Sequence, residues 1–167
     1  MACNIIEGSY LGCRDGVAGI SALYFTEFSN VSGITSSSGV ITSITMNSGK
    51  KFFLYEVEPE AAEVTQKATA SIENGTVFYE QTITFNMYKM NAKNRNILRN
   101  LIQNRLMAII KLSDDSFILF GEKRGINVIS HEDKSGKAMG DMVGSIITLS
   151  AKEPLPANIV SSISGLT

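Results

Sequence analysis

The order of apolar and polar side chains changes period along this chain, and the changes mark out its elements. Over residues 20–28 (ISALYFTEF) Ala22, Tyr24 and Thr26 alternate with Leu23, Phe25 and Glu27. Aromatic and branched side chains at that spacing suit a pleated surface, so a strand is expected. Residues 30–39, rich in Ser, Gly and Thr, predict a loop. Val40, Thr42, Ile44 and Met46 then share one face of a second strand, and Asn47-Ser48-Gly49 supplies turn chemistry before 51–57. These two segments are expected to form a hairpin.

The longest alternating stretch is 64–90, interrupted only by Glu73-Asn74-Gly75. Asn-Gly tolerates the positive φ angles of a type I′ turn, so two long strands are expected to meet there. Before the turn, Thr65, Lys67, Thr69, Ser71 and Glu73 fall on one face, with Ala68, Ala70 and Ile72 on the other. After it, Phe78, Glu80, Thr82, Thr84 and Asn86 oppose Val77, Tyr79, Ile83, Phe85 and Met87. The predicted hairpin has one polar and one apolar face.

Next the period becomes helical. Ile97, Leu98, Leu101, Ile102 and Leu106 recur opposite Arg95, Asn96, Arg99, Asn100, Gln103 and Asn104. With Asn91 as N-cap, this predicts one amphipathic helix over 91–105, packed on a sheet. Residues 107–112 and 117–121 are nearly continuously apolar around Ser113-Asp114-Asp115-Ser116, which predicts a second hairpin, central and buried on both faces. A short strand is expected at 126–129, a polar loop at 130–141 and a last strand at 142–151. Pro154 and Pro156 end that strand, and 157–163 is expected to be a short helix. Residues 1–18 show no sustained period and are expected to form an arm that crosses to a neighbouring subunit. The fold class that follows is mainly β (α+β): an antiparallel β-sandwich or barrel with a long hairpin and one packed helix. A chain of 167 residues fits a single domain over 1–167.

Composition narrows the function classes. A hydrophobic share of 44% with 19% charged residues belongs to a folded chain. The net charge of -1 gives no basic field of the kind a nucleic-acid binder uses against phosphates. No apolar run of about 18 residues could span a bilayer, and residues 1–20 lack the basic and apolar blocks of a signal peptide. A soluble protein made in the cytosol, with no membrane partner, is expected. Cys3 and Cys13 would close only a short loop, so they are expected to be reduced thiols.

Candidate chemistry is sparse. Ser135-Gly136-Lys137-Ala138 approaches the end of a phosphate-binding loop. That motif needs a glycine where His131 stands and a Ser or Thr where Ala138 stands. His131 is the single histidine, which removes His-based triads and two-histidine metal sites. Cys3 and Cys13 with His131 match no structural-zinc spacing. Asp114-Asp115 and Glu132-Asp133 fall in expected turns, where Asp bonds its own backbone. Lys93, Arg95, Arg99 and Arg105 suit the solvent- or partner-facing side of the helix better than a phosphate contact. The expectation is therefore no enzyme, no cofactor and no metal.

The hairpin and helix QKATASIENGTVFYEQTITFNMYKMNAKNRNILRNL (66–101), followed by GKAMGDMVGSIITLSAKEPLPA (136–157), resemble the tail tube family of bacteriophages, in particular structural proteins of crAss-like tailed phages infecting Bacteroidetes. The resemblance covers roughly 57–157 together with Met1-Ala2-Cys3, and lies in the order of elements more than in any one motif. It implies a virion structural protein, made in the host cytoplasm, that self-assembles into a homo-oligomeric, hexameric ring beside other tail and connector proteins. Residues 64–90 would line a β-barrel channel through which double-stranded DNA passes without specific binding. Thr65, Lys67, Thr69, Ser71, Glu73, Glu80, Thr82, Thr84 and Asn86 are then the lumen-facing candidates. The same fold would serve as tail hub or head–tail connector in a short-tailed phage.

Overall fold

Alternating apolar side chains build two β-sheets that face each other with one helix between their ends in the computed structural model, which describes Ile5 and residues 7–167. Along the chain the elements are β1 (Ile20–Glu27), β2 (Val31–Ser37), β3 (Val40–Met46), β4 (Phe53–Glu56), β5 (Ala62–Ser71), β6 (Thr76–Tyr88), α1 (Ala92–Gln103), β7 (Leu106–Leu112), β8 (Phe117–Phe120), β9 (Asn127–Lys134), β10 (Gly144–Glu153) and β11 (Asn158–Val160). The larger sheet runs β2-β3-β11-β8-β7-β1-β4 and the smaller β5-β6-β10-β9. Neither closes into a barrel, so among the described residues β2, β4, β5 and β9 stand as edges. The expected mainly β, sandwich-like fold with one helix is the fold observed.

Between the sheets lie Leu23 and Phe25 of β1, Ile83 and Phe85 of β6, and Ile147 and Leu149 of β10. The two-residue period of each strand puts them on one face. The Phe25 ring meets Tyr55 edge-on at 5.0 Å and Phe85 at 5.6 Å. Leu98 and Leu101 of α1 close the same core. The helix starts where expected: the Asn91 side chain accepts from the Asn94 N–H at 2.8 Å. The Asn94 amide in turn donates to the Tyr88 and Lys89 carbonyls at 2.8 and 2.9 Å, tying the first turn to the end of β6. It stops earlier than the apolar spacing suggests. Asn104 is extended and its side chain donates to the Asn100 carbonyl at 2.9 Å, so Leu106 serves β7 instead.

The continuously apolar β7 and β8 are buried on both faces, as their sequence predicts. On the side away from the smaller sheet, Met107, Ile109 and Leu119 join Ile41, Phe52, Val160 and Leu166 in a second core. The Phe52 N–H donates to the Leu166 carbonyl at 2.7 Å, which holds the C-terminal segment against it.

Five local expectations are corrected. The Ser/Thr/Gly segment 30–39 is mostly β2, an edge strand whose hydroxyls face water; Ser38 and Gly39, both at positive φ (51° and 79°), turn it into β3. The expected hairpin of 40–46 with 51–57 does not form. Asn47 reaches back to the carbonyls of Asn30 and Ser29 at 2.8 and 2.9 Å, and the chain crosses over to set β4 beside β1. The polar stretch from Ser130 continues β9 as far as Lys134, because pairing with β10 needs no apolar side chains on its open side. Residues 158–160 form β11 instead of a helix, filling the gap between β3 (parallel) and β8 (antiparallel). At the tip of the long hairpin Gly75 has φ 63° while Asn74 is not at positive φ. The connection is therefore a four-residue loop between the paired Ser71 and Thr76, not a type I′ turn.

Two buried polar side chains join the sheets. Gln81 Oε1 accepts from the Gly121 N–H at 3.0 Å while its Nε2 donates to Gln66 Oε1 at 3.3 Å. Glu153, 2% exposed, accepts from the Arg124 and Lys123 N–H groups at 2.8 and 3.3 Å. Burial pushes its carboxyl above the ordinary value of 4.5, against the opposing pull of those two donors. A carboxyl raised on folding favours the folded state below its unfolded value, and that contribution is lost as pH rises through the folded value. Glu153→Gln removes the ionisation and keeps a carbonyl acceptor. Its stability relative to the parent is expected to be more favourable at pH 7 than at pH 4, as urea unfolding at the two pH values will show. Asp114, Asp133 and Asp141, whose carboxyls their hydrogen bonds hold low, are present in both proteins and cancel in the difference. An equal difference at both pH values would exclude the ionisation of Glu153 as the cause.

Candidate functional site

Strand pairing gathers the polar side chains of the long hairpin onto the outer face of the smaller sheet. Thr65 stands opposite Thr82, Lys67 opposite Glu80, and Thr69 opposite Phe78. Directly paired residues point to the same side of a sheet, so Thr65, Lys67, Thr69, Ser71, Glu80, Thr82, Thr84 and Asn86 share this face. Glu73 does not; it lies in the exposed loop at the tip. The hairpin is slightly offset from the expected 64–90, running from Ala62 to Tyr88.

Two further strands extend the face. β10 places Ser150 beside Thr82, Thr148 beside Thr84 and Lys152 beside Glu80, and β9 adds Ser130, Glu132 and Lys134. Their alternation is visible in ITLSAK, where Ile147, Leu149 and Ala151 turn inward. The hydroxyls of Thr84 and Thr148 approach to 3.4 Å. Charges on the face are interleaved. Lys67 and Lys152 both flank Glu80, Lys134 lies 3.8 Å from Glu132, and Lys152 rests 5.6 Å above the Phe78 ring. Such a surface is hydrated and close to neutral, with no cluster of cations to hold phosphates.

The other candidate groups have structural partners. Asp141 accepts from the Lys137 and Ala138 N–H groups, each at 2.8 Å, which occupies the donors a phosphate would need at Gly136. These bonds hold the Asp141 carboxyl below its usual range. Asp114 caps its own turn, accepting from the Ser116 N–H at 3.0 Å and hydroxyl at 2.6 Å, and Lys111 pairs with Asp115 at 2.9 Å. Glu132-Asp133 lies within β9, not in a turn.

His131 and Ser145 come together in space around Asp133, a meeting not apparent from their separation in sequence. His131 Nε2 lies 2.9 Å from the Asp133 carboxylate, and Ser145 Oγ donates to the same oxygen. Those bonds hold the Asp133 carboxyl low. The carboxylate sits in the middle, so the imidazole is not placed to take the serine proton as a nucleophilic triad requires. Cys13 is exposed, and Cys3 lies outside the described residues. Among the described residues no group of three or more His, Cys, Asp or Glu side chains is arranged to hold a metal. Among the same residues no helix is long and apolar enough to cross a membrane.

A cleft of about 820 Å³ opens between β4, the end of β6 and the start of α1. Phe53, Tyr55, Glu56, Met87 and Lys93 are among the residues that line it. No protein-family model matches this chain, and neither does any curated protein or solved structure.

Proposed function

We propose that this chain is a structural subunit of a phage tail tube, assembling with copies of itself into a ring whose bore conducts DNA. The observation that carries the proposal is the outer face of the smaller sheet, hydroxyl-rich and charge-balanced, on a sheet whose two outer strands are open. An open β5 of one subunit offers backbone donors and acceptors to an open β9 of the next, and repetition of that contact around an axis would close a continuous barrel. With the polar face inward, DNA would meet threonine hydroxyls and paired charges, which repel no strand and trap none. The subunit does no catalysis in this role. It works in the virion beside other tail proteins and needs no cofactor.

Electron microscopy of the purified protein over a range of concentration and salt tests this directly. Rings or stacked tubes with an open bore are expected, and monomers under all conditions would overturn the proposal. The double variant Thr82→Lys, Thr84→Lys is expected to assemble normally yet retain duplex DNA, with retention falling steeply between about 50 and 200 mM salt. Unchanged DNA retention by assembled rings of that variant would remove the face from the bore. Imaging of intact particles separates tube from tail hub or head–tail connector by position.

A further inference from the structure

Residues 7–18 run out from the start of β1 with every side chain exposed, and among them Tyr10 is 94%, Leu11 105% and Val17 65% exposed. Apolar side chains of that size carried on a solvated segment are uncovered surface awaiting a partner. The molecule also carries a place of matching character. β4 ends the larger sheet with its outer edge unpaired, Phe53 and Leu54 on it are 56% and 51% exposed, and the 820 Å³ cleft opens alongside. An extended peptide laid there would pair its backbone with β4 and sink alternate side chains into the cleft.

We propose that the segment 7–18 of one copy docks as an added strand on β4 of a second copy. This rests on the ring-forming reading above and adds a contact between neighbouring subunits at the free edge of the larger sheet to the β5–β9 contact of the smaller one. Reach is sufficient: twelve extended residues span about 40 Å, several times the length of β4. Charge also agrees, since Glu56 and Glu58 at the cleft suit Arg14 of the segment, and Lys93 suits Glu7. The chain's own segment does not occupy the site: it leaves β1 where Ser21 lines the cleft and stays exposed over residues 7–18, so β4 is open to the segment of a second copy.

The test uses the full chain carrying the photo-crosslinker p-benzoyl-phenylalanine in place of Leu11, as an equal mixture of ¹⁵N-labelled and unlabelled protein. Illumination is expected to produce a species of twice the chain mass, whose crosslinked peptide joins position 11 to residues 53–58 and carries mixed isotopes. Leu54→Lys, which places a charge on the open edge, is expected to cut the yield about tenfold while the circular dichroism spectrum stays the same. Crosslinks of a single isotope, crosslinks to other peptides, or none at any concentration would each overturn the docking. Rings by electron microscopy without the 53–58 crosslink would sink the docking and leave the channel reading standing. The crosslink without rings would do the reverse.

Discussion

Replacing Phe85 by alanine is expected to lower the unfolding free energy by about 3–5 kcal/mol, the cost of losing a buried aromatic side chain together with the cavity left behind. Phe85 is 2% exposed, with its ring tilted against Phe25 at 5.6 Å and edge-on to Tyr55 at 6.4 Å, so it joins the smaller sheet to β1 and β4 of the larger. A domain of this size has a stability of about 5–15 kcal/mol, so most of the margin could go in one change. Urea unfolding of parent and variant measures it. The neighbouring Thr84→Ala, on the opposite, polar face of the same strand, is expected to stay within about 0.5 kcal/mol. A loss below about 1 kcal/mol for Phe85→Ala would mean that the two sheets are not joined through this ring.

Gly144→Ala is expected to cost about 3 kcal/mol through backbone collision, not through a lost contact. A Cβ at Gly144 would lie 2.3 Å from the Met87 carbonyl oxygen and 3.0 Å from the Tyr88 Cα. Those atoms belong to the strand that Gly144 pairs with, and on its other side stands Lys134 of β9. Relief would require β10 to shift away from β6 at the end where the Lys89 N–H bonds the Val143 carbonyl at 3.0 Å. Hydrogen exchange is therefore expected to accelerate at amides of β6 and β10 near this end as the unfolding midpoint falls. Gly33→Ala, on the edge strand β2, is the control, because nothing lies within 4 Å of the added methyl. Equal effects at the two glycines would exclude close strand approach as the cause.

Legibility in the sequence followed the strength of each local signal. Alternation over Thr65–Ser71 and Thr76–Asn86 identified both faces of the hairpin, since a pleated strand cannot put neighbouring side chains on one side. Asn91 and the Leu98–Leu101 spacing identified the helix and its cap. The polar face was only partly legible. Thr148, Ser150 and Lys152 belong to it as fully as Thr82 and Thr84 do, yet they join it through pairing between residues more than 60 positions apart. Segments 30–39 and 130–134 were hidden for a related reason. An edge strand with water on one side can be built from Ser, Thr, His and Asp, whose composition alone resembles a loop.

The sequence by itself determined the class of the molecule: strands with one apolar face, a doubly buried hairpin in Met107–Phe120, one capped helix, and a net charge of only -1. Tertiary structure decided the partners. It set β4 beside β1, slipped β11 between β3 and β8, gave Gln81 and Glu153 their backbone donors, and brought His131 and Ser145 to Asp133. Periodicity is a property of adjacent residues and is written in the chain. Which edge meets which is settled by the competition among all strands for backbone hydrogen bonds and for a share of two common cores.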